Sequence, residues 1–327
     1  MTKDRSLELL LKILRGEAPP GLGEEDWMDL VQVARQQTVT GLLYKAAEGF
    51  PPGTRLPEAV LFALMARVKI IMNRNLLLGE VEREVLDMLR SGGLHPVVMK
   101  GSTCAARYPS PELRTGGDVD LFIGKDEFPQ AMERLRTRGI GCTARPDGSV
   151  EFSRGGCQVE LHRRYFDLHV REKVLPPVGT PEAELLMLSA HIRKHACGVG
   201  VGLRQIYDFA LAWRAYPGDD DKMYALFRRC GMARWNALLL SFIRDYLFPE
   251  MDVRGYVNPR KLFRIVRDGG NFGHFRPKRL EMLSGQSSLK RKFHTAKRLL
   301  QRLPFSIRYA PREIIPHVSE LFRGNLH

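Results

Sequence analysis

The chain has no apolar run near the roughly 18 residues that a membrane-spanning helix needs; the longest candidates, 59–66 and 237–243, have the length of core helices. No transmembrane anchor is expected. A Gly-x-x-x-x-Gly-Lys-Ser/Thr stretch is also missing, which excludes a P-loop nucleotide site. Cysteine is scarce: five residues, at 104, 142, 157, 197 and 230, odd in number and without a Cys-x-x-Cys pair. Neither a zinc knuckle nor a disulfide framework follows, and a reducing cytoplasm fits best. Nor does the start read as a secretory leader, because Asp4 and Glu8 interrupt it; Leu7, Leu10, Leu11 and Leu14 lie on one face of an amphipathic helix instead. Internal repeats and low-complexity segments are lacking too.

What is there is an ordinary globular balance, 44% hydrophobic and 27% charged over 327 residues, enough for two compact units. The net charge of +14 is unevenly placed. From Arg254 to the end stand 17 Lys or Arg against 4 Asp or Glu, a surplus of 13, so the rest is nearly neutral. Such a segment suits an anionic partner, nucleic acid or a membrane surface, or it is a solvated basic tail.

The periodicity predicts an α+β protein, a mixed sheet with flanking helices between an N-terminal helical region and a C-terminal helical domain. Residues 1–90 repeat apolar positions at helical spacing, broken at Ala18-Pro19-Pro20 and Phe50-Pro51-Pro52-Gly53, and close with a long helix from Pro57 to about Arg90. Residues 91–175 change character. Pro96–Met99 reads as a strand, Lys100-Gly101-Ser102 as a turn, and Thr103–Arg107 as a short helix. Val119, Leu121 and Ile123 then alternate with Asp118, Asp120 and Phe122, the period of a half-buried strand. Asp126 is expected to cap a helix to about Arg138, and strands follow at Ile140–Ala144, Val150–Ser153 and Gln158–His162. In 176–253, helices are expected at Glu182–Ala196, Leu203–Tyr216, Asp220–Cys230 and Ala233–Leu247. The basic tail, 254–327, carries expected helices at Leu289–Leu303 and Pro311–Phe322.

Carboxylates at i and i+2 of a strand point to one side, about 6–7 Å apart, which suits bridging of divalent cations. Asp118 and Asp120 meet that condition, and Glu160, between Val159 and Leu161, offers a third carboxylate from a neighbouring strand. A cage of this kind suits two-metal chemistry, with Mg²⁺ or Mn²⁺ activating an acceptor hydroxyl and stabilising a pyrophosphate leaving group. Gly101 and Ser102, between strand and helix, present backbone N–H groups to triphosphate oxygens, and Lys100 and Arg114 add positive charge.

The stretch MKGSTCAARYPSPELRTGGDVDLFI, with VELH after it, resembles the nucleotidyltransferase fold superfamily, whose pattern is a Gly-Ser turn, an Asp-x-Asp strand and a third acidic strand. More narrowly it resembles an uncharacterised bacterial branch, matched here by Lys100-Gly101, Tyr108-Pro109, Arg114, Gly117-Asp118-Val119-Asp120 and Glu160-Leu161-His162. The branch also carries a helical His-x-x-x-His and an Arg…Asp pair, matched by His191, His195, Arg204 and Asp208, so the likeness covers about residues 90–215. It implies a five-stranded mixed sheet, a helical C-terminal part and Mg²⁺-dependent transfer of NMP from an NTP, ATP favoured, to an acceptor. The 16-residue spacing from Ser102 to Asp118 is long for the superfamily.

His191 and His195, at i and i+4, lack the Glu that a metalloprotease helix places after its first His, so zinc is set aside. They and Lys194 are read as lining the cleft opposite the carboxylates, with His162, Arg204 and Asp208 beside them; Arg204 and Asp208 also have the spacing of an intrahelical pair. Gly198–Gly202 follows a helix and reads as a turn, not a dinucleotide loop. Phe263, Phe272, Phe275 and Phe293 lie among Lys and Arg, a pattern that suits base stacking or a bilayer surface. Two other readings therefore stand beside the enzyme: a non-catalytic nucleic-acid or protein binding module on the same fold, and a cytoplasmic protein peripheral to the membrane in surface polysaccharide assembly.

Overall fold

The computed structural model describes residues 1–314 except 20, 55, 146, 199 and 271–300. Three helices open the chain: α1 (Lys3–Leu14), α2 (Glu24–Gln36) and α3 (Thr40–Ala47). Thr2 caps α1 with its side chain, and the stripe Leu7, Leu10, Leu11 is fully buried, as its helical spacing requires. A long helix, α4 (Glu58–Arg90), follows, and a Ser-Gly-Gly stretch ends it.

The sheet comes next. Its strands are β1 (Val97–Val98), β2 (Val119–Phe122), β3 (Thr143–Ala144), β4 (Val150–Arg154) and β5 (Cys157–His162), in the order β1-β2-β5-β4-β3. Only β2 and β5 run parallel; the other neighbours are antiparallel. Between β1 and β2 lies the single-turn helix α5 (Ser102–Ala105), and between β2 and β3 lies α6 (Phe128–Thr137). One face of the sheet is dry: Val119, Leu121, Ile123, Val159 and Leu161 pack with Phe128, Ala131 and Leu135 of α6 and with Leu78, Val81 and Val85 of α4. Asp126 does not cap α6. Glu127 holds the cap position, yet its carboxylate accepts the His95 backbone N–H (2.8 Å) and meets the His95 ring at 2.7 Å, leaving the helix to start at Phe128-Pro129.

After the sheet come α7 (Pro181–Cys197), α8 (Leu203–Arg214), α9 (Asp220–Arg229), α10 (Ala233–Tyr246) and α11 (Arg260–Gly269). The glycine-rich stretch between α7 and α8 is a helix-to-helix turn, as its position after a helix requires. Helix α11 falls where no helix was expected, and residues 301–309 are helical too. The rest of the tail helices expected at 289–303 and 311–322, and Phe272, Phe275 and Phe293, lie outside the described residues. The early and late helices share one core, in which Leu10, Trp27, Val60 and Leu64 join Phe209, Phe227, Trp235 and Phe242. Helix α4 thus enters both cores, helical at its start and sheet-bound at its end. No helix among the described residues is long and apolar enough to cross a membrane.

Phe242 sits on α10 with none of its side chain exposed. A Phe242→Ala variant is expected to lose about 3–5 kcal/mol of stability, the cost of a large core cavity, read from the shift of the urea midpoint.

Candidate active site

The register of the parallel pair decides the site. Asp120 stands opposite Glu160 and Phe122 opposite His162, so Asp120, Glu160 and His162 share the polar face of the sheet, opposite the dry one. One donor atom from each of the three falls within 4.8 Å of the others. His162 Nε2 lies 2.9 Å from Asp120 Oδ1 and 3.4 Å from Glu160 Oε2. Asp118, one residue before β2, is exposed at the mouth and stands outside that three-atom group.

Opposite charges hold the carboxylates in place. Lys100, just after β1, puts its Nζ 3.1 Å from Asp120 Oδ1, and Arg145 reaches Glu160 Oε1 at 3.0 Å. Burial works against the Lys100 charge, but Asp120, Asp118 and Glu160 outweigh it and hold the ammonium above its ordinary range. Asp120 is buried too, yet Lys100 and His162 keep its pKa well below the carboxylate norm. Glu160 moves the other way: burial, then the charges of Asp120 and Asp118, raise it, against Arg145 and His162. Two neighbouring carboxylates driven apart in this way are suited to different tasks.

The loop entering β2 is clamped from α4. Asn75 Nδ2 donates to the carbonyls of Glu112 (2.7 Å) and Arg114 (2.8 Å), and its Oδ1 accepts the Gly116 N–H (3.1 Å). A Cβ at Gly116 would stand 2.5 Å from Leu78 Cδ1 and 2.6 Å from Asn75 Oδ1, so a larger residue would have to push both side chains aside, Asn75 out of its clamp included. Arg114 departs from its expected role. Its guanidinium makes two 2.8 Å bonds to Asp208 deep in the protein, and Tyr108 donates to the same carboxylate at 2.7 Å. Asp208 therefore pairs with Arg114 and not with Arg204. Arg204 instead donates to the Thr115 carbonyl at 2.7 Å and approaches Gly117, while its Nε has no partner. Burial and the nearby Arg114 depress its pKa.

The Gly-Ser turn has a neighbour that sequence alone did not bring forward. Gly101 takes φ +72°, opening α5, and Ser102 donates its hydroxyl to Glu82 Oε1 of α4 at 2.6 Å. Burial raises the Glu82 carboxyl. With one turn of helix and a carboxylate beside it, this turn carries less positive field than a full helix N-terminus would.

Across from the sheet face runs α7. The rings of His191 and His195 meet edge to face at 4.5 Å, and Lys194 pairs with Asp167 at 3.1 Å. Burial, then the charge of Lys100, pushes His191 well below its ordinary value; burial, then Lys194, lowers His195 to about 3. The cleft therefore sets carboxylates on the sheet against cations and neutral imidazoles on α7. Lys100, Asp120, Glu160 and His162 converge as expected from sequence, with Asp118 and Gly117 exposed beside them and Arg204 beneath the loop that carries them. Glu82, Asn75, Arg145 and Asp167 were missed; each reads locally as an ordinary surface residue, and only tertiary packing brings it in.

Residues 23–248 match the model of a family described as an uncharacterised nucleotidyltransferase. No curated protein and no solved structure matches the chain.

Two outcomes follow from this geometry. Asp208→Ala leaves Arg114 buried without its carboxylate and is expected to cost about 3–5 kcal/mol in denaturant unfolding. The unfolded chain protonates its histidines near pH 6.5, whereas the fold resists protonating His191 and His195. Their contribution to stability is therefore complete above pH 6.5 and is lost as pH falls below it, for His195 down to about 3. The melting temperature of a His195→Gln variant is expected to fall less steeply than wild type between those limits.

Proposed function

From the premise that the chain belongs to the uncharacterised nucleotidyltransferase family, we propose that it transfers NMP from an NTP, ATP favoured, to a nucleophilic acceptor such as a hydroxyl, using Mg²⁺ or Mn²⁺. The observation that carries this reading is the convergence of Asp120, Glu160 and His162 within 4.8 Å beside Lys100. Hard carboxylate oxygens fit either ion, and the one imidazole is compatible with Mn²⁺. Asp118, Asp120 and Glu160 would hold the metal, with His162 as an added donor. When bound, such a cation polarises the phosphoryl oxygens and acidifies the acceptor.

The chain's own residues account for the remainder. Lys100 has a flexible stem that can exchange Asp120 for a phosphate oxygen. Arg204, whose Nη1 approaches Gly117 and whose Nε has no partner, takes the phosphate role that sequence had given to Arg114. Gly101 and Ser102 line the same end. The acceptor oxygen attacks the α-phosphorus in line, the bond to the β-phosphate oxygen breaks, and pyrophosphate leaves. The acceptor proton passes to a carboxylate oxygen of Glu160, the one carboxyl that enters from the neighbouring strand. His191, His195 and Lys194 face this reaction from the helical part, so we take 91–175 as the catalytic core, 176–253 as the part that closes the cleft and 1–90 as its support. The basic segment from Arg254 onward is proposed to draw in an anionic partner, nucleic acid or a membrane surface, to a cytoplasmic enzyme.

Incubation of the full chain with α-³²P-labelled NTPs, Mg²⁺ or Mn²⁺ and cell fractions tests the reading. Transfer to one fraction is expected, with Asp120→Ala reduced about 10²–10³-fold, the range seen when a preorganised electrostatic group is removed. Full turnover by Asp120→Ala would sink the assignment, and the absence of both transfer and metal-dependent NTP binding would leave a binding module on this fold.

A further inference from the structure

Gln37, between α2 and α3, is only 2% exposed, and it joins two helices far along the chain. Its Oε1 accepts the Leu203 N–H of α8 at 3.0 Å, and its Nε2 donates to the Val266 carbonyl of α11 at 2.9 Å. Its own carbonyl accepts the Arg204 N–H at 3.3 Å. Leu203 and Arg204 are the first two residues of α8, whose N-cap, Gly202, has no side chain to offer them. The open N–H groups of that helix start are therefore met by one buried residue of the N-terminal region. A local Ser or Asp would cap a helix equally well; taking both acceptors from Gln37 also fixes where α8 begins relative to the rest of the protein.

The surroundings of Gln37 are built for close contact. Thr38 takes φ +55°, alone among the described non-glycine residues in being positive, a costly conformation for a β-branched side chain. Such strain persists only where packing over-determines it, and it gathers at functional sites. A Cβ on Gly200, in the turn before α8, would stand 2.7 Å from Gly269 Cα, and one on Gly270 would stand 2.9 Å from the Gln36 carbonyl oxygen. The start of α8 is thus gripped between residues 36–38 and the end of α11. That start carries Arg204, whose guanidinium donates to the Thr115 carbonyl and approaches Gly117, next to Asp118. Where this charge sits depends on where the Arg204 backbone is held. We propose that Gln37 is a positioning residue for Arg204 and sets, through the first turn of α8, the affinity of the site for triphosphate. This positioning rests on the reading of Arg204 as a phosphate contact, and it gives residues 1–90 a part in nucleotide binding beyond support of the core.

Calorimetric titration of the full chain with Mg²⁺ and α,β-methylene-ATP, which cannot release pyrophosphate, tests it. Gln37→Met, similar in volume but without the amide, is expected to bind about tenfold more weakly, with circular dichroism verifying that it is folded. Gln37→Glu keeps an acceptor for the Leu203 N–H and loses the donation to Val266. It is expected to unfold at lower urea yet to bind close to wild type, so that affinity follows the grip on α8 and not stability. In an Arg204→Ala background, Gln37→Met is expected to change affinity no further, because the two act through one contact. Undiminished binding by folded Gln37→Met, a full additional loss in the Arg204→Ala background, or a folded Gln37→Glu as weak as Arg204→Ala would each overturn the positioning while leaving the nucleotide site in place. A wild type without metal-dependent binding would overturn the phosphate reading itself, and the positioning with it.

Discussion

Carboxylates on adjacent parallel strands, in register, are forced together by the backbone whether or not their charges agree. Here β2 and β5 place Asp120 beside Glu160, and the nearly closed surroundings weaken the screening that water would give. A fold tolerates this only if positive charge is supplied. Lys100 supplies it to Asp120, Arg145 to Glu160, and His162 touches both. The opposite pKa shifts of the two carboxyls follow from how that compensation is divided. A divalent cation would relieve the same repulsion more completely, which is why an acidic cluster held this tightly is suited to one.

The element that makes the arrangement stable is α4. Its first turns pack into the helical core and its last turns beneath the dry face of the sheet, so it couples the two. The same helix supplies Asn75, which fixes the loop into β2 through three hydrogen bonds, and Glu82, which takes the Ser102 hydroxyl. A shift of α4 would therefore be felt at Asp118 and at the Gly-Ser turn together. Glu82 also tempers that turn. Its raised carboxyl accepts a proton more readily than an ordinary one, so it would oppose an anion at this turn less than its formal charge suggests.

Much of the fold was legible because it rests on local patterns. Alternation of Val119, Leu121 and Ile123 with Asp118 and Asp120 identified β2, and the apolar spacing of 181–246 identified four helices within a residue or two of their ends. The convergence of Asp120 with Glu160 could be anticipated from strand patterning together with the family likeness. What escaped was tertiary. Asn75 and Glu82 sit in a helical stretch that looks like any solvated face, and Arg145 lies in a turn. The Asp126 cap failed because the adjacent Glu127 found a better partner in His95, 32 residues away. Helix α11 was hidden by a segment so basic that its charge overshadowed the periodicity of Leu262, Phe263 and Val266.

The two arginines show how a partner decides a role. Arg114 and Arg204 are both near the loop into β2, and motif position alone favoured Arg114 for phosphate. Asp208 gives Arg114 a different partner, since a bidentate pair with a buried carboxylate satisfies the guanidinium and commits its charge. Withdrawing it toward a nucleotide would leave Asp208 buried and unpaired, a cost no surface contact returns. Arg204 has no such commitment. Its bond is to a neutral carbonyl, its Nε is unmet, and its charge is held at a disadvantage by burial and by Arg114 itself. An anion arriving at Gly117 would relieve that disadvantage, and on the proposed reading the pair that occupies Arg114 leaves Arg204 as the cation of this loop able to meet one.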